Sequence, residues 1–567
     1  MLLDVAPPAP LAPPTVSLEA DATWRAERLF FQRDAVAARS ALVDVQLLCA
    51  SLACIHVLGA SFWRRSAKRS GRHLSIEELP PTLAFSYFHS FALFMSLAFV
   101  VLQLAARAAH APTLMLAHLP PWAVFLAASL YQTGIYMLTR IAQRNFTLGE
   151  LAIVASIGTA ALLEVVAVTK ARLTPQFVAT LVFREPTVLL VFQQALIFGT
   201  ILIGFMLSPI LVLSRVLAQR PTHRLRWPDQ RNLHRRLLAL AFFVLTVLLV
   251  LGVLGPWMWW QLRAQNPWLY SVRFMLLGSR WWSRLALLGY WGILCNIALL
   301  SLQLMVNRVW PFATVGDQVR PKRRPEAQPP VQRTAPTATE RASTLAATQF
   351  AEPSTELDEN TSLGPALAVS VNGRRKFFHA LAVFLFVPGI AWDPAFMHLA
   401  FSIAFALFLF CECLRYCAVF PVGASLHIFM AQFLDNKDAG LVILSHLYLL
   451  SGCAAGLWAD SRTRVAQQLG VLVLGIGDSC ASIVGRQYGR LHWPRSKKTV
   501  EGTVAFVAST VLCTMLLRIL HLVEPFRVGH FTLVAVGLAL VEGISEQNDN
   551  LVLPLIGLLL CSLFPVV

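Results

Sequence analysis

From residue 41 onward, apolar runs of roughly 20 residues alternate with short polar breaks. Such a run is what an α-helix needs to cross a hydrocarbon core about 30 Å thick at 1.5 Å per residue. The runs lie near 41–63, 84–106, 121–139, 147–169, 187–213, 237–261 and 285–306 in the first half. In the second half they lie near 377–391, 396–418, 440–459, 466–485, 500–520, 529–545 and 550–566. The pattern predicts an all-α, polytopic integral membrane protein with about 14 transmembrane helices.

Four regions follow from the same pattern. Residues 1–40 form an N-terminal tail, Pro/Ala-rich over 1–20 and charged and amphipathic over 21–40. The opening MLLDVAPPAPLAPP lacks the apolar core of a cleaved signal peptide, so the first span is expected to serve as signal anchor. Residues 41–310 are a first multispan region. Residues 311–372, dominated by Pro, Thr, Ala and Glu, have no apolar period and predict a disordered linker. Residues 373–567 form the second multispan region.

Composition supports this class. The 567 residues are 56% hydrophobic and 14% charged, with a mean hydropathy of +0.62; soluble domains carry about 25% charged residues. A net charge of +17 would suggest nucleic acid on a soluble protein. Here the basic residues sit between apolar runs, where they set topology and meet anionic headgroups, which excludes nucleic-acid binding. The ten cysteines are scattered, and Cys411, Cys413 and Cys417 lack the partners of a zinc site.

The richest basic loops are 64–73 (Arg64, Arg65, Lys68, Arg69, Arg72) and 215–236, with seven arginines. Placing both in the cytoplasm puts the linker there by parity, together with 374–376, 419–439, 486–499 and 546–549. Every polar motif of the second half then shares one face. The same count places the N-terminal segment, with its four arginines, on the other.

The densest candidate chemistry lies at 475–503, GIGDSCASIVGRQYGRLHWPRSKKTVEGT. It holds one carboxylate, Asp478, among small residues that let a backbone or a ligand come close. A basic loop follows, in which Lys497 and Lys498 beside Thr499 offer donors to phosphate oxygens. On chemistry alone it is equally a packed helix and an ordinary positive-inside loop.

Four further motifs accompany it. Arg374, Arg375 and Lys376 precede His379 at a helix start, as a phosphate or headgroup site or as a topology signal. Glu412 and Arg415 are three apart on a helix and neutralise one another. Asp435 and Asp438 precede an apolar helix; one can cap it and the other is available to a divalent cation or a lysine. The segment from Glu542 to Leu551 carries more acids and amides, Asp549 among them, than a turn needs.

The order D-S-x-A-S-x-x-G followed by W-P-x-S-K-K-T-x-E-G-T resembles the CTP-binding signature of dolichol kinases. Related polyprenol and phytol kinases share parts of it, as do CDP-diacylglycerol synthases more distantly. R-K-x-x-H at 375–379, E-x-x-R at 412–415, D-x-K-D-x-G at 435–440 and D-N-x-x-x-P at 549–554 are similar to elements of the same family. The likeness covers about 373–567. A multispan first half is a dolichol kinase trait that the shorter phytol kinases lack.

The resemblance implies a kinase of the endoplasmic reticulum membrane that passes the γ-phosphate of CTP to dolichol, giving dolichyl phosphate and CDP for protein glycosylation. CTP would be held by Gly485, Arg486, Gly489, Arg490, Trp493, Pro494, Arg495, Ser496, Lys497, Lys498, Thr499, Glu501 and Gly502, with Arg375 and Lys376. Asp478, Asp549, Lys498 and His379 would be catalytic; Asp478, Asp549, Asp435 and Asp438 are the acids available to Mg²⁺. No Walker A or protein-kinase motif occurs, so the phosphate site is of another kind. The alternatives are another polyprenol or phytol kinase, a cytidylyltransferase, which releases pyrophosphate, and a transporter, which would place its charges near the midplane.

Overall fold

The computed structural model describes residues 33–70, 85–109, 116–142, 145–174, 179–221, 224, 227, 229–278, 280–309, 371–431, 441–494, 496, 498–545 and 547–566. The expected N-terminal tail up to residue 32 and almost all of the expected linker 311–372 lie outside these ranges. Residues before Cys295 and from Val371 on form one unit, and the contacts below are all within it.

The described residues are helical, with two isolated β-bridges and no named strand. In the first half the helices are α1 (Ala35–Arg69), α2 (Phe85–Ala108), α3 (Pro121–Ile141), α4 (Leu148–Leu173), α5 (Val188–Met206), α6 (Ser208–Gln219), α7 (Arg231–Leu249), α8 (Gly255–Gln261), α9 (Pro267–Leu276) and α10 (Ser283–Val309). The second half gives α11 (Val371–Trp392), α12 (Pro394–Tyr416), α13 (Val422–Ala431), α14 (Ser445–Trp458), α15 (Arg464–Val471), α16 (Asp478–Tyr488), α17 (Val500–Ile519), α18 (Val528–Ile544) and α19 (Asp549–Leu563). π-helical turns, Val250–Leu254 and Leu472–Gly477, join α7 to α8 and α15 to α16.

The count of about 14 transmembrane helices is not reached. Among the described residues nine helices are long and apolar enough to cross a membrane. Four others are apolar but run only 10–17 residues: Ser208–Gln219, Lys376–Trp392, Val528–Ile544 and Asp549–Leu563. Two of the differences have a local reason, while the run expected at 187–213 still supplies a span, Val188–Met206, shortened where Pro209 has no N–H for the ladder and α6 restarts at Ser208. The run at 440–459 yields a helix of only 14 residues, about 21 Å long. Helix α3 is polar in its second half because it is an interior helix. Its buried Gln132 donates to Ala92 O at 3.2 Å and to Ser96 Oγ at 3.3 Å on α2.

Loop contacts between the two halves sort into two sets. In one, Asn145 bonds the backbone of Val442, Glu150 accepts from Asn548 N–H at 2.7 Å, and the Arg215 guanidinium lies 4.0 Å from the Tyr416 ring. In the other, Glu185 N–H donates to Asp460 Oδ2 at 3.0 Å and Arg284 Nε pairs with Asp393 Oδ2 at 2.7 Å. Helices α12 and α14 each run from one set to the other. The chain therefore runs back and forth between two polar layers with apolar packing between them.

Candidate functional site

Four chain segments meet in the first of these layers. The start of α11 brings Lys376 and, one turn on, His379. The π-helical turn Leu472–Gly477 widens the long helix just before Asp478. Such turns leave the regular i to i−4 ladder and are frequent at functional sites. Nothing in the residue pattern signals this one.

Helices α16 and α17 are antiparallel neighbours closed by a hairpin. His492 and Thr499 form a bridge, Trp493 N–H donates to Lys498 O at 3.0 Å, and Val500 N–H to Leu491 O at 2.8 Å. The Glu501 carboxylate accepts from Arg490 N–H at 2.9 Å and Leu491 N–H at 3.1 Å. Thr499 caps α17 through Gly502 N–H at 3.2 Å. The glycines are there for backbone approach: a Cβ on Gly485 would lie 2.7 Å from Thr499 Oγ1, and one on Gly502 2.9 Å from Ala481 O. Trp493 Nε1 reaches Thr503 Oγ1 at 2.9 Å, with its ring against Gly543.

The last segment joins α18 to α19. Glu542 sits two residues before the end of α18, and Asn548 caps α19 by accepting from Asn550 N–H at 3.1 Å. Asp549 is thereby the first residue of α19.

Together these segments enclose a cleft of about 570 Å³. Lys376 Nζ lies 2.5 Å from Asp478 Oδ2, and His379 Nε2 is 3.8 Å from the same oxygen. Lys498 Nζ is 2.9 Å from Glu542 Oε1, 2.6 Å from Glu542 O and 3.0 Å from Asp549 Oδ2. Burial works against the Lys498 ammonium, but Asp549 and Glu542 beside it outweigh that and hold its pKa above the ordinary lysine value. One oxygen from each of Asp478, Glu542 and Asp549 falls within 4.8 Å of the others. An all-carboxylate set of this span suits a hard divalent cation such as Mg²⁺. The two lysines neutralise the same acids and supply donors for a polyanion.

The expected site residues fare differently. Asp478, Asp549, Lys498, His379, Lys376, Gly485, Arg486, Gly489, Thr499 and Gly502 all line the cleft. Arg490, Trp493, Pro494, Ser496 and Glu501 do not; Glu501 and Trp493 hold the hairpin's shape, and Ser496 Oγ accepts from Lys498 N–H at 3.2 Å. Asp435, Asp438, Arg495 and Lys497 lie outside the described residues, as does the side chain of Arg375. The reading of residues missed Glu542, which takes a place in the carboxylate set, and Ser482, His492, Asn548 and Asn550 on the walls. Glu542 could have been found by its position: a carboxylate one turn from the end of an apolar helix needs a partner.

The Glu412–Arg415 pair lies off the cleft and behaves as a brace. Both side chains are buried, 2.5 Å apart at their closest. Glu412 Oε1 also accepts from Ile443 N–H at 2.8 Å, and Arg415 donates to Leu441 O at 2.8 Å. Together they fix the chain as it enters α14.

Fold and site define a polytopic helical membrane protein with a lysine- and carboxylate-lined cleft in one polar layer. The model of the dolichol kinase family matches residues 368–459, a stretch that includes Lys376 and His379 and ends before the hairpin. The chain is 39% identical over 191 residues to dolichol kinase sec59 of Schizosaccharomyces pombe, covering 33% of this chain and 38% of that protein. It is 29% identical over 339 residues to dolichol kinase of Mus musculus, covering 57% and 52%. With dolichol kinase EVAN of Arabidopsis thaliana the identity is 39% over 190 residues, covering 32% and 33%. These matches show that the chain is similar to dolichol kinases. The chain spans between about a third and about half of the length of these relatives. No solved structure matches it.

Proposed function

We propose that this protein is a dolichol kinase that transfers the γ-phosphate of CTP to dolichol at the cytoplasmic face of the endoplasmic reticulum membrane. The observation that carries the reading is the convergence of three carboxylates and two lysines, from four separate segments, on one cleft. Phosphoryl transfer needs charge neutralisation, a metal bridge and alignment of the acceptor. Each has a candidate here.

Lys498 and Lys376, with Lys497 and Arg375, bind the triphosphate, and the hairpin around Thr499 shapes its seat. Asp478, Glu542 and Asp549 would hold a divalent cation, which would supply neutralisation of the phosphate charge. The alcohol oxygen attacks the γ-phosphorus as the bond to the β-phosphate oxygen breaks. CDP leaves with the bonding electron pair, and the hydroxyl proton passes to Asp478 or Asp549. His379, 3.8 Å from Asp478 Oδ2, adds a positive charge beside that carboxylate when protonated. The isoprenoid tail stays in the bilayer while its hydroxyl reaches the polar layer.

Analysis of the nucleotide product tests the reaction type. Purified protein given CTP, Mg²⁺ and dolichol is expected to release CDP in step with dolichyl phosphate. Release of pyrophosphate with a cytidylylated lipid would replace the kinase by a cytidylyltransferase.

A further inference from the structure

We propose that Glu150, in the first multispan half, is a positioning residue for Asp549 and links that half to the phosphoryl-transfer site. This rests on the function proposed above. Glu150 is the third residue of α4 and is buried. Its two carboxylate oxygens do different work. Oε2 accepts from Thr147 N–H at 3.0 Å while Glu150 N–H donates to Thr147 Oγ1 at 3.3 Å, a reciprocal cap of α4. That cap leaves Oε1 free of any local duty. Oε1 accepts from Asn548 N–H at 2.7 Å, across 398 residues of sequence.

The grip is placed where it matters for Asp549. Asn548 is the cap of α19: its side chain accepts from Asn550 N–H, and its carbonyl accepts from Leu551 N–H and Val552 N–H, both at 3.1 Å. Fixing Asn548 N–H therefore fixes the first turn of α19, on which Asp549 is carried. A second contact holds the same loop, since a Cβ on Gly149 would collide with the Gln547 carboxamide. Three residues upstream of Gly149, Phe146 packs edge-on against Tyr448, and Asn145 bonds the backbone of Val442 through both ends of its amide. The six residues from Asn145 to Glu150 thus brace the starts of α14 and α19 together. A helix cap alone would use only one of the two carboxylate oxygens.

The test compares Glu150→Ala with Thr147→Ala in the full chain in lipid nanodiscs. Thr147→Ala removes the Oγ1 acceptor of the cap and leaves the Asn548 contact. Hydrogen exchange over 547–552 reports the loop without requiring activity, and kcat, KM for CTP and the half-activating Mg²⁺ concentration report the reaction. For Glu150→Ala we expect faster exchange over 547–552, a kcat lowered about tenfold or more, and a raised Mg²⁺ requirement with KM for CTP little changed. The size follows because misplacing a reacting group by about 1 Å costs up to about 10²-fold. Thr147→Ala should leave all four at parental values. Equal effects of the two variants would reduce Glu150 to a helix cap and overturn the proposal, as would unchanged exchange or unchanged kcat in Glu150→Ala. If the parent protein transfers no phosphate to dolichol, the function reading fails, and the exchange arm still decides whether Glu150 holds the Asn548 loop.

Discussion

Replacing Lys498 by Met keeps most of the side-chain volume and removes the cation between Glu542 and Asp549. Two contacts of about 3 Å are lost, each worth about 5 kcal/mol at an effective dielectric of about 20. Desolvation already offsets most of that, and the lysine side chain is 28% exposed. The net loss is therefore well below the cost of orphaning a fully buried ion partner, and we expect destabilisation of about 1–3 kcal/mol. It should be largest without divalent cations, because three carboxylates within 4.8 Å then face one another with one counter-charge fewer. Millimolar Mg²⁺ should restore melting temperature in the variant more than it raises that of the parent. Transfer should not recover: losing one preorganised charge on a transferring phosphoryl group costs about 10² to 10³ in kcat. The assays are thermal melting of detergent-purified protein by intrinsic fluorescence, with and without Mg²⁺, and steady-state transfer to dolichol. A stable variant with parental kcat would refute the reasoning, and so would destabilisation indifferent to Mg²⁺.

Other consequences are more local. Gly502→Ala should separate α16 from α17, since its Cβ would sit 2.9 Å from the Ala481 carbonyl and about 3.1 Å from Thr499 Oγ1; overpacking of this kind costs about 1–3 kcal/mol, and nucleotide affinity should fall with the melting temperature. Arg415→Met leaves Glu412 buried without its partner and is expected to cost about 3–5 kcal/mol, read as loss of folded protein on size exclusion. Pairing it with Glu412→Gln should recover part of the loss. Burial pushes the Asp460 carboxyl up to about 6, with Arg184 opposing. The folded protein therefore holds that proton more tightly than the unfolded chain, and stability from this group falls as pH rises from about 3.8 through about 6 and then levels off. Asp460→Asn should remove that component from melts recorded across this range, and an unchanged profile would assign it elsewhere. Lys498, whose pKa is raised, keeps its charge and its stabilising contribution at all pH values below the ordinary lysine value and loses them only above it.

Much of the architecture could be read in the residues because a bilayer leaves few choices. Apolar runs must be helices, and breaks such as 373–379, 475–503 and 542–551 had to lie at helix ends. Parity alone put these breaks on one side, and the structure brings them into one cleft. The helix count differs where local events decide length or polarity: the run at 440–459 gives a helix of only 14 residues, and Gln132 and its neighbours make α3 an interior helix. The small size of Gly485 and Gly502 serves the close packing against Thr499 and Ala481, and both also line the cleft. Glu542 was visible as one acid among several, and its meeting with Asp478 and Asp549 comes from segments far apart in the chain. Glu150 was hidden for a similar reason. Thr147-x-x-Glu150 reads as a capping box, and nothing in its neighbourhood announces a partner 398 residues away.

Transfer of label from γ-phosphate-labelled CTP to dolichol, in membranes expressing this chain, tests the central claim most directly. The account predicts labelled dolichyl phosphate from the parent, lost in both Asp478→Ala and Lys498→Ala at equal protein level. Folded parent protein that leaves dolichol unlabelled in the presence of Mg²⁺, or an Asp478→Ala variant that labels it at the parental rate, would contradict it.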